Sequence, residues 1–256
     1  MSDAIDYQIF GNDLQLVEVE LDPGEAVRGE IGTMNYMEEG IEMQTTTGGG
    51  VFRGLKRVFT GESFFIAAFL NNGQSRSRVA FAAPYPGKIV PLDLSQFGNQ
   101  IYCQKDSFLC AAEGIEIEVA LTKRIGAGIF GGEGFILQRL TGDGWAFAHA
   151  GGTVIEKDLA PGEKLRVDTG CLVAFDTKVD FDIQFIGGVR NALFGGEGLF
   201  LTTMTGPGKV YLQSLPFSRL VDRITVVGRL RRQVGEQEGI AGLGGDILKD
   251  VISGGS

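Results

Sequence analysis

The sequence predicts an all-β protein built from three tandem repeats. The phrase F-T-G-E-S-F-F at Phe59–Phe65 returns as F-G-G-E-G-F-I at Phe130–Ile136 and as F-G-G-E-G-L-F at Phe194–Phe200. A recurrence every ~64 to 71 residues is typical of tandem structural units. The runs I-E-I-E-V-A and V-D-F-D-I-Q-F alternate acidic and apolar residues, as half-buried antiparallel strands do. Glycine supplies 40 of 256 residues, about twice its usual share, which suits many tight turns.

Further segments match between the repeats. The second copy continues with F-I-L-Q-R-L, T-G-D-G and W-A-F-A-H-A, and the third with L-F-L-T-T-M, T-G-P-G and K-V-Y-L-Q-S. Two apolar runs around a glycine turn predict a β-hairpin in each copy. Upstream, L-D-P-G-E-A-V-R at Leu21–Arg28 matches L-A-P-G-E-K-L-R at Leu159–Arg166, whereas the second copy has L-D-L-S-Q-F-G-N at Leu92–Asn99. The sequence therefore predicts the same succession of strands three times.

The repeats are expected to form one cooperative body, because a module of this size buries little surface alone and no Pro/Ser-rich linker separates the copies. We predict β modules at 1–88, 89–152 and 153–216, then a closing segment and C-terminal arm at 217–256. The basic stretch Arg223–Arg232 is predicted as a strand with a solvated end, with a binding site as the alternative. Asp246 is predicted to cap a short amphipathic helix. That helix is either an arm that docks on a partner subunit or a membrane surface, or a frayed tail.

The ordered phrases L-x-P-G-E, a glycine run before a basic residue, F-x-G-E-[GS]-[FL]-[FI] and T-G-x-G resemble the AIM24 family over about Tyr7 to Leu230. This resemblance implies three repeats of a shortened double-stranded β-helix or β-sandwich module, similar to the tryptophan RNA-binding attenuator protein (TRAP-like), with a short C-terminal tail. It also implies compact rings. No enzymatic activity defines the family, whose mitochondrial members are linked to inner-membrane architecture. The second copy lacks the Pro-Gly-Glu turn, so functional equivalence of the three modules does not follow.

The repeated turns hold the candidate functional residues. A catalytic group need occur only once, whereas a structural turn must occur in every module. Each repeated glutamate is therefore expected to accept backbone N–H groups of its own turn or to pair with a basic side chain; a ligand-facing role is the alternative. The turn residues are Glu62, Glu133, Glu197, Gly61, Gly132 and Gly196. If the modules superpose, the basic residues before these turns form a stripe, with a solvated rim as the alternative: Lys56, Arg57, Lys123, Arg124 and Arg190.

Charge and residue chemistry narrow the classes of function. A net charge of −9 opposes binding to phosphate backbones. The single histidine, His149, and the three cysteines, Cys103, Cys110 and Cys171, do not form a zinc-site spacing, so we expect no metal and no cofactor. We predict Cys110 and Cys171 as buried free thiols. His149 is predicted to lie at a sheet surface or a module junction.

The sequence favours a non-enzymatic assembly or scaffold protein. Exposed sheet edges are usually closed or covered, so we predict a homotrimeric ring in which module one meets module three of the next copy. The ring would bind a protein or small-molecule partner that the sequence does not identify. An acidic N-terminus without an apolar segment, and no apolar run of ~18 residues, predict a cytoplasmic protein without a membrane span. An enzyme with a site near His149 or a repeated glutamate is the alternative, and RNA binding by fold analogy is a weaker one.

Overall fold

The computed structural model describes residues 5–45, 66–123, 135–186, 199–221 and 223–224. The chain divides into two compact units, 1–216 and 217–256. Within the described part of the first unit, regular structure consists of β-strands and short 3-10 turns, with no α-helix before residue 217. The prediction of an all-β fold is confirmed.

The described residues form nineteen strands, in three successive groups along the chain. The first group comprises β1 (Asp6–Phe10), β2 (Leu16–Leu21), β3 (Ala26–Glu30), β4 (Met34–Met37), β5 (Ile41–Thr45), β6 (Ile66–Asn71) and β7 (Ser77–Phe81). The second comprises β8 (Gly87–Asp93), β9 (Gln100–Gln104), β10 (Phe108–Ala112), β11 (Glu116–Lys123), β12 (Phe135–Thr141) and β13 (Trp145–Gly151). The third comprises β14 (Val154–Leu159), β15 (Lys164–Asp168), β16 (Leu172–Asp176), β17 (Asp180–Ile186), β18 (Leu199–Thr205) and β19 (Gly208–Gln213).

The strands pair into four antiparallel sheets, and the pairing order recurs along the chain. The orders are β1-β2-β7-β4, β5-β6-β3-β10-β13-β8, β11-β12-β9-β16-β19-β14 and β15-β18-β17. Each six-stranded sheet combines three strands of one group with three of the next. The joints are β3 with β10 and β9 with β16. The boundaries of the modules and the TRAP-like character stay predictions.

Local details recur with the pairing order and define which residues are equivalent. A 3-10 turn precedes β4, β10 and β16, and the register of each of these strands shifts near its start, as at a β-bulge. The turns lie at Ile31–Thr33, Lys105–Ser107 and Thr169–Cys171. The register shifts lie between Met34 and Tyr36, between Phe108 and Cys110, and between Leu172 and Ala174. Met37, Ala111 and Phe175 are therefore counterparts.

The Pro-Gly-Glu echo forms two matching turns, as the sequence repetition indicates. The carboxylate of Glu25 accepts the backbone N–H of Asp22 at 2.8 Å, and that of Glu163 accepts the N–H of Ala160 at 2.8 Å. Gly24 and Gly162 hold positive φ angles in these turns. In the second group, a 3-10 turn at Leu94–Phe97 takes this place. The Pro-Gly-Glu turn therefore leads into β3 and into β15 in the same way.

The predicted hairpins around the T-G-x-G turns are wrong. The strands exist, but β12 and β13 lie in different sheets, as do β18 and β19, and β6 and β7. In the second group, β13 is buried along six of its seven residues and β12 along five of seven. A strand that is apolar on both faces is stabilised inside a sheet, between two neighbours, rather than in a hairpin with one solvated face. The glycine turns therefore carry the chain from one sheet to another.

The described residues of the first unit form two hydrophobic clusters. The larger contains Phe69, Phe81 and Phe147, with Tyr7 of β1 packed edge-on against Phe147 at a ring separation of 4.8 Å. The smaller surrounds Phe175 and lies around the third group of strands. Burial of aromatic side chains of this size supplies a large part of the stabilisation of a small β unit.

The second unit is described only at residues 217–221 and 223–224, which are helical. The predicted strand at Arg223–Arg232 is therefore wrong at its first two residues. Phe217, Val221 and Ile224 follow the i, i+4, i+7 spacing of a helix, and Pro216 precedes it, where proline suits a helix start. Asp246 and the rest of the predicted arm lie outside the described residues. None of the helices in the described part of the chain has the length and apolar character needed to cross a membrane.

Candidate functional site: two sheet edges

Most residues singled out by the sequence lie outside the described part of the chain. This holds for the repeated turn residues and for nearly all of the basic stripe: Glu62, Glu133, Glu197, Gly61, Gly132, Gly196, Lys56, Arg57, Arg124 and Arg190. Lys123 is the last residue of β11, and only its backbone is described. The roles proposed for these residues stay predictions. The described residues instead direct attention to two strands that end their sheets.

Strands β4 and β15 lack a pairing that their counterparts have. Counterparts β10 and β16 pair with β3 and β9, whereas β4 pairs only with β7 within the ranges that the structure describes. In the same way, β3 and β9 pair on both sides, whereas β15 pairs only with β18 among the described residues. In the described part of the chain, the strands that join one group to the next therefore lack this partner in the first group, at β4, and in the third group, at β15. Such edges are templates for another strand.

The backbone groups of the two edges point outward at alternating residues. Glu38, directly after β4, donates its N–H to Arg78 O at 2.9 Å, so it faces the neighbouring strand β7. Because bonding alternates along an antiparallel strand, the N–H and C=O of Met37 face the open side. On β15, Glu163 O accepts the N–H of Gly206, which orients Leu165 toward β18 and Arg166 toward the open side. Among the residues that the structure describes, both edges thus have backbone groups without a partner in a ladder.

The side chains at the two edges differ in charge and polarity. Tyr36 and Met37 on β4 are 39% and 41% exposed, a high value for large side chains on a strand. Glu38 and Glu39 follow them directly. On β15, Lys164 and Arg166 are both exposed. The edge at β4 thus combines two exposed large side chains with an acidic turn. The edge at β15 is basic instead.

Charged neighbours hold the acidic edge in place on its own sheet. The Tyr36 hydroxyl donates a hydrogen bond to the Glu18 carboxylate, and this bond, together with the nearby negative charge, raises the pKa of Tyr36 to about 12. The N–H of Arg78 donates to the Glu38 carboxylate at 2.9 Å. Tyr36 and Glu38 are therefore each hydrogen-bonded to a residue of the same sheet. Glu39 has no ion-pair partner among the described residues.

The joint between β3 and β10 contains side-chain contacts that the two unpaired edges lack in the described part of the chain. Arg28 on β3 forms a two-bond ion pair with Glu113, which follows β10; its Nε lies 2.8 Å from the carboxylate. Both side chains are mostly buried, with 17% and 23% exposure. The joint between β9 and β16 has an aromatic contact instead, with the rings of Tyr102 and Phe175 5.3 Å apart. The two joints thus differ in side-chain chemistry at the counterpart positions Arg28 and Tyr102.

His149 lies at the junction between the first and second groups of strands. It is 1% exposed, its ring packs edge-on against Tyr85 at 4.5 Å, and its Nδ1 makes no hydrogen bond. Burial lowers the pKa of His149 to about 4, so the ring is neutral at pH 7. The sequence left a sheet surface and a junction open; the junction is the one observed. A buried ring has no access to a substrate, which argues against general-base chemistry here.

Gln213 occupies the equivalent position of the third group and clarifies the role of His149. Its amide accepts the N–H of Gly151 at 2.8 Å and donates to Gly170 O at 2.9 Å. It thereby ties the link before β14 to the turn before β16. His149 packs in the same way against Gly87, the counterpart of Gly151, but with fewer hydrogen bonds. The junction position is therefore structural in both groups.

Gly87→Ala should destabilise this junction. An added Cβ would lie 2.3 Å from Ala150 O and 2.4 Å from Nε2 of His149, and the backbone carbonyl is not free to move. Overpacking of this kind costs about 1–3 kcal/mol. We expect a fall of about 2 kcal/mol in the free energy of unfolding, measured by urea denaturation. Gly32→Ala is the matched control, because its Cβ would meet nothing within 4 Å; equal destabilisation of the two variants would contradict the expected clash.

Two of the three cysteines lie in the core, and the third lies in a turn. Cys103 and Cys110 are buried free thiols, as predicted for Cys110, and burial raises the pKa of Cys103 to about 12. Cys171 lies in a 3-10 turn and is only partly buried, so its predicted burial is wrong. Within the described residues, no group of three or more His, Cys, Asp or Glu side chains is arranged to hold a metal ion.

Sequence reasoning missed the residues at the edges, although a signal was present. The run M-E-E-G-I-E-M at Met37–Met43 matches A-A-E-G-I-E-I at Ala111–Ile117, which makes Glu39 the counterpart of Glu113. The matched phrases A-V-R and K-L-R make Arg166 the counterpart of Arg28. Only the pairing of β3 with β10 reveals that the two repeated segments, one with Arg28 and one with Glu113, lie side by side.

Comparison with known proteins places the chain in a family. The model of the family described as "Mitochondrial biogenesis AIM24" matches residues 7–215. The uncharacterized protein M6_Spy0233 of Streptococcus pyogenes serotype M6 is 31% identical over 208 residues, which cover 78% of this chain and 81% of that protein. The crystal structure of protein SPYM3_0169 from Streptococcus pyogenes superposes with a TM-score of 0.67 at 26% identity, over 90% of this chain and 99% of that one. The chain belongs to the AIM24 family.

Proposed function

We propose that this protein is a non-enzymatic assembly protein that forms a closed ring with copies of itself. One observation supports this proposal above others: among the described strands, β4 and β15 lack the pairing that joins β3 with β10 and β9 with β16. Pairing β15 of one copy with β4 of the next would repeat the same joint between chains. Closed symmetric rings are the usual outcome of such head-to-tail contacts.

The in-chain joints define the register of the proposed contact. Because Cys110, Ala111 and Ala112 lie opposite Gly29, Arg28 and Val27, the counterparts Tyr36, Met37 and Glu38 would lie opposite Val167, Arg166 and Leu165. Exposed Tyr36 and Met37 would become covered in this arrangement. Three copies, each with three groups of strands, would form the proposed ring of nine groups.

The assembled ring is proposed to act as a scaffold for a protein or small-molecule partner in the cytoplasm. The three cysteines form no disulfide with one another, which suits a reducing compartment. The net charge of −9 makes nucleic acid a poor partner. His149 is buried and neutral at its junction, so it offers little support for the alternative of an enzyme.

Sedimentation equilibrium at micromolar concentration tests the proposed assembly. We expect a mass of three times the 27.4 kDa chain. A single 27.4 kDa species at every concentration would remove the ring and the scaffold role together. A dimer would retain self-association but reject a ring of three chains.

A further inference from the structure

We infer that Arg166 and Glu39 of the next copy form an ion pair that selects β4 as the partner of β15. This inference rests on the proposed function, since the pair lies at the proposed contact between copies. It deepens that proposal by naming the chemistry by which one edge recognises the other. The partner is a second copy of this chain.

The in-chain ion pair between Arg28 and Glu113 is the template for this contact. Arg28 lies opposite Ala111, and Glu113 donates its N–H to Ala26 O at 3.0 Å, two residues along the same face. Side chains on one face of neighbouring strands lie within reach of each other across this diagonal. The two side chains meet there in a two-bond, mostly buried pair. Charged pairs of this geometry are strong and directional.

The turn after each joining strand confirms which acidic residue takes the place of Glu113. The N–H of Ile41 donates to Glu38 O at 3.2 Å, and the N–H of Ile115 donates to Ala112 O at 3.2 Å. Glu39 therefore occupies the same position of the same turn as Glu113. Gly40 and Gly114 follow with φ angles of +97° and +94°, so the two turns have the same backbone path.

The same reasoning places Arg166 where Arg28 lies. Gly24 and Gly162 form equivalent turns, and four residues later come Arg28 and Arg166. Lys164, the counterpart of Ala26, would lie directly opposite Glu39 and add a second positive charge. Arg166 and Glu39 are exposed, and neither has an ion-pair partner among the described residues.

The remaining joint explains why this pair would give specificity. At the joint between β9 and β16, Tyr102 is the counterpart of Arg28, and its ring contacts that of Phe175. Thr177 occupies the position that Glu113 and Glu39 hold in their turns. An edge that carries Arg166 would leave its charge unpaired against such an apolar joint. A desolvated charge without a partner is costly, so the charged edge favours the acidic turn of β4.

Charge reversal tests this inference. The variants are Arg166→Glu, Glu39→Arg and the double variant Arg166→Glu/Glu39→Arg. The controls are Lys157→Glu on β14 and Glu116→Arg on β11, which make the same charge changes at exposed positions away from both edges. A dilution series followed by sedimentation velocity at low salt gives the dissociation constant of the assembly for each variant.

We expect each single reversal to raise the dissociation constant by about ten-fold or more, because like charges then face each other. The double variant should return to within about three-fold of the wild type, and the controls should stay near it. If the wild type assembles but the single reversals match the controls, or the double variant is no tighter than the weaker single, the ion pair is wrong while assembly stands. A wild type that is monomeric at every concentration overturns the proposed function and the pair together.

Discussion

Met37→Pro should convert the assembled protein into single chains while leaving each chain folded. The N–H of Met37 faces the open side of β4, and proline removes that donor from the proposed contact with Arg166 of the next copy. The hydrogen bonds of Glu38 to β7 do not involve this group. Proline is tolerated at strand edges whose N–H points away from the sheet. The sedimentation mass should therefore fall to 27.4 kDa.

Met37→Val is the control for this substitution. It keeps the backbone donor and has a β-branched side chain that suits a strand. The Met37 side chain is 41% exposed, so neither variant opens a cavity in the core. Circular dichroism and thermal melting should show both variants folded. A proline variant that keeps the mass of the wild type would mean that β4 is not the edge through which the chains meet.

His149→Gln should remove most of an acid sensitivity that the wild type has between pH 6.5 and 4. The pKa of the folded-state histidine is lowered to about 4 by burial, against a usual value near 6.5. The unfolded chain therefore binds a proton in this range that the folded chain does not. The contribution of the neutral ring to the free energy of unfolding is complete above about pH 6.5. It decreases as the pH falls, and the loss levels off below about pH 4. The lowering corresponds to about 3 kcal/mol.

Urea denaturation of both proteins at pH 7.5, 5.5 and 4.5 measures this effect. Carboxylates contribute to both curves, so the informative quantity is the difference in unfolding free energy between the wild type and His149→Gln. That difference should move in favour of the variant as the pH falls, because glutamine does not titrate. Glutamine suits this position, because Gln213 occupies the equivalent junction of the third group and makes two hydrogen bonds there. A difference that stays constant with pH would contradict the lowered pKa of His149.

The all-β fold was predictable because its signals are local. Alternation in β11 and β17 and the two Pro-Gly-Glu turns are written in a few neighbouring residues, and both appear in the structure. The hairpins around T-G-x-G were predicted wrongly because pairing is not local. An apolar run such as W-A-F-A-H-A of β13 fits a hairpin strand or a central strand equally well. Only burial on both faces, which depends on distant strands, distinguishes the two.

The candidate site was harder to predict for the same reason. Arg166 and Glu39 are unremarkable charged residues in the sequence, and each is exposed within its own chain. Their relation becomes visible only through Arg28 and Glu113, which lie 85 residues apart and meet through the pairing of β3 with β10. His149 was predicted to lie at a sheet surface or a module junction, and its contact with Tyr85 and its counterpart Gln213 identify the junction. The repeated glutamates lie outside the described residues, so their role stays a prediction.

A disulfide between Glu38→Cys and Leu165→Cys tests the pairing of β15 with β4 most directly. These residues are the counterparts of Ala112 and Val27, which lie opposite each other at the in-chain joint. Both face away from the open side in their hydrogen bonding, and Cα atoms of such pairs lie about 4.5 Å apart, within disulfide range. Within one chain β4 and β15 belong to different sheets, so a bond at this register joins two copies.

Mild oxidation of the double-cysteine variant should give covalent species of up to three times the 27.4 kDa chain mass on a non-reducing gel, reversed by reductant. The pair Glu38→Cys and Lys164→Cys, shifted by one residue to the opposite face, is the control, and it leaves Arg166 and Glu39 intact. Each single-cysteine variant reports any linkage through Cys171, which is partly exposed. Cross-linking of the matched pair well above the shifted pair is the predicted result. No cross-linking, or equal cross-linking of both pairs, would contradict assembly through β15 and β4.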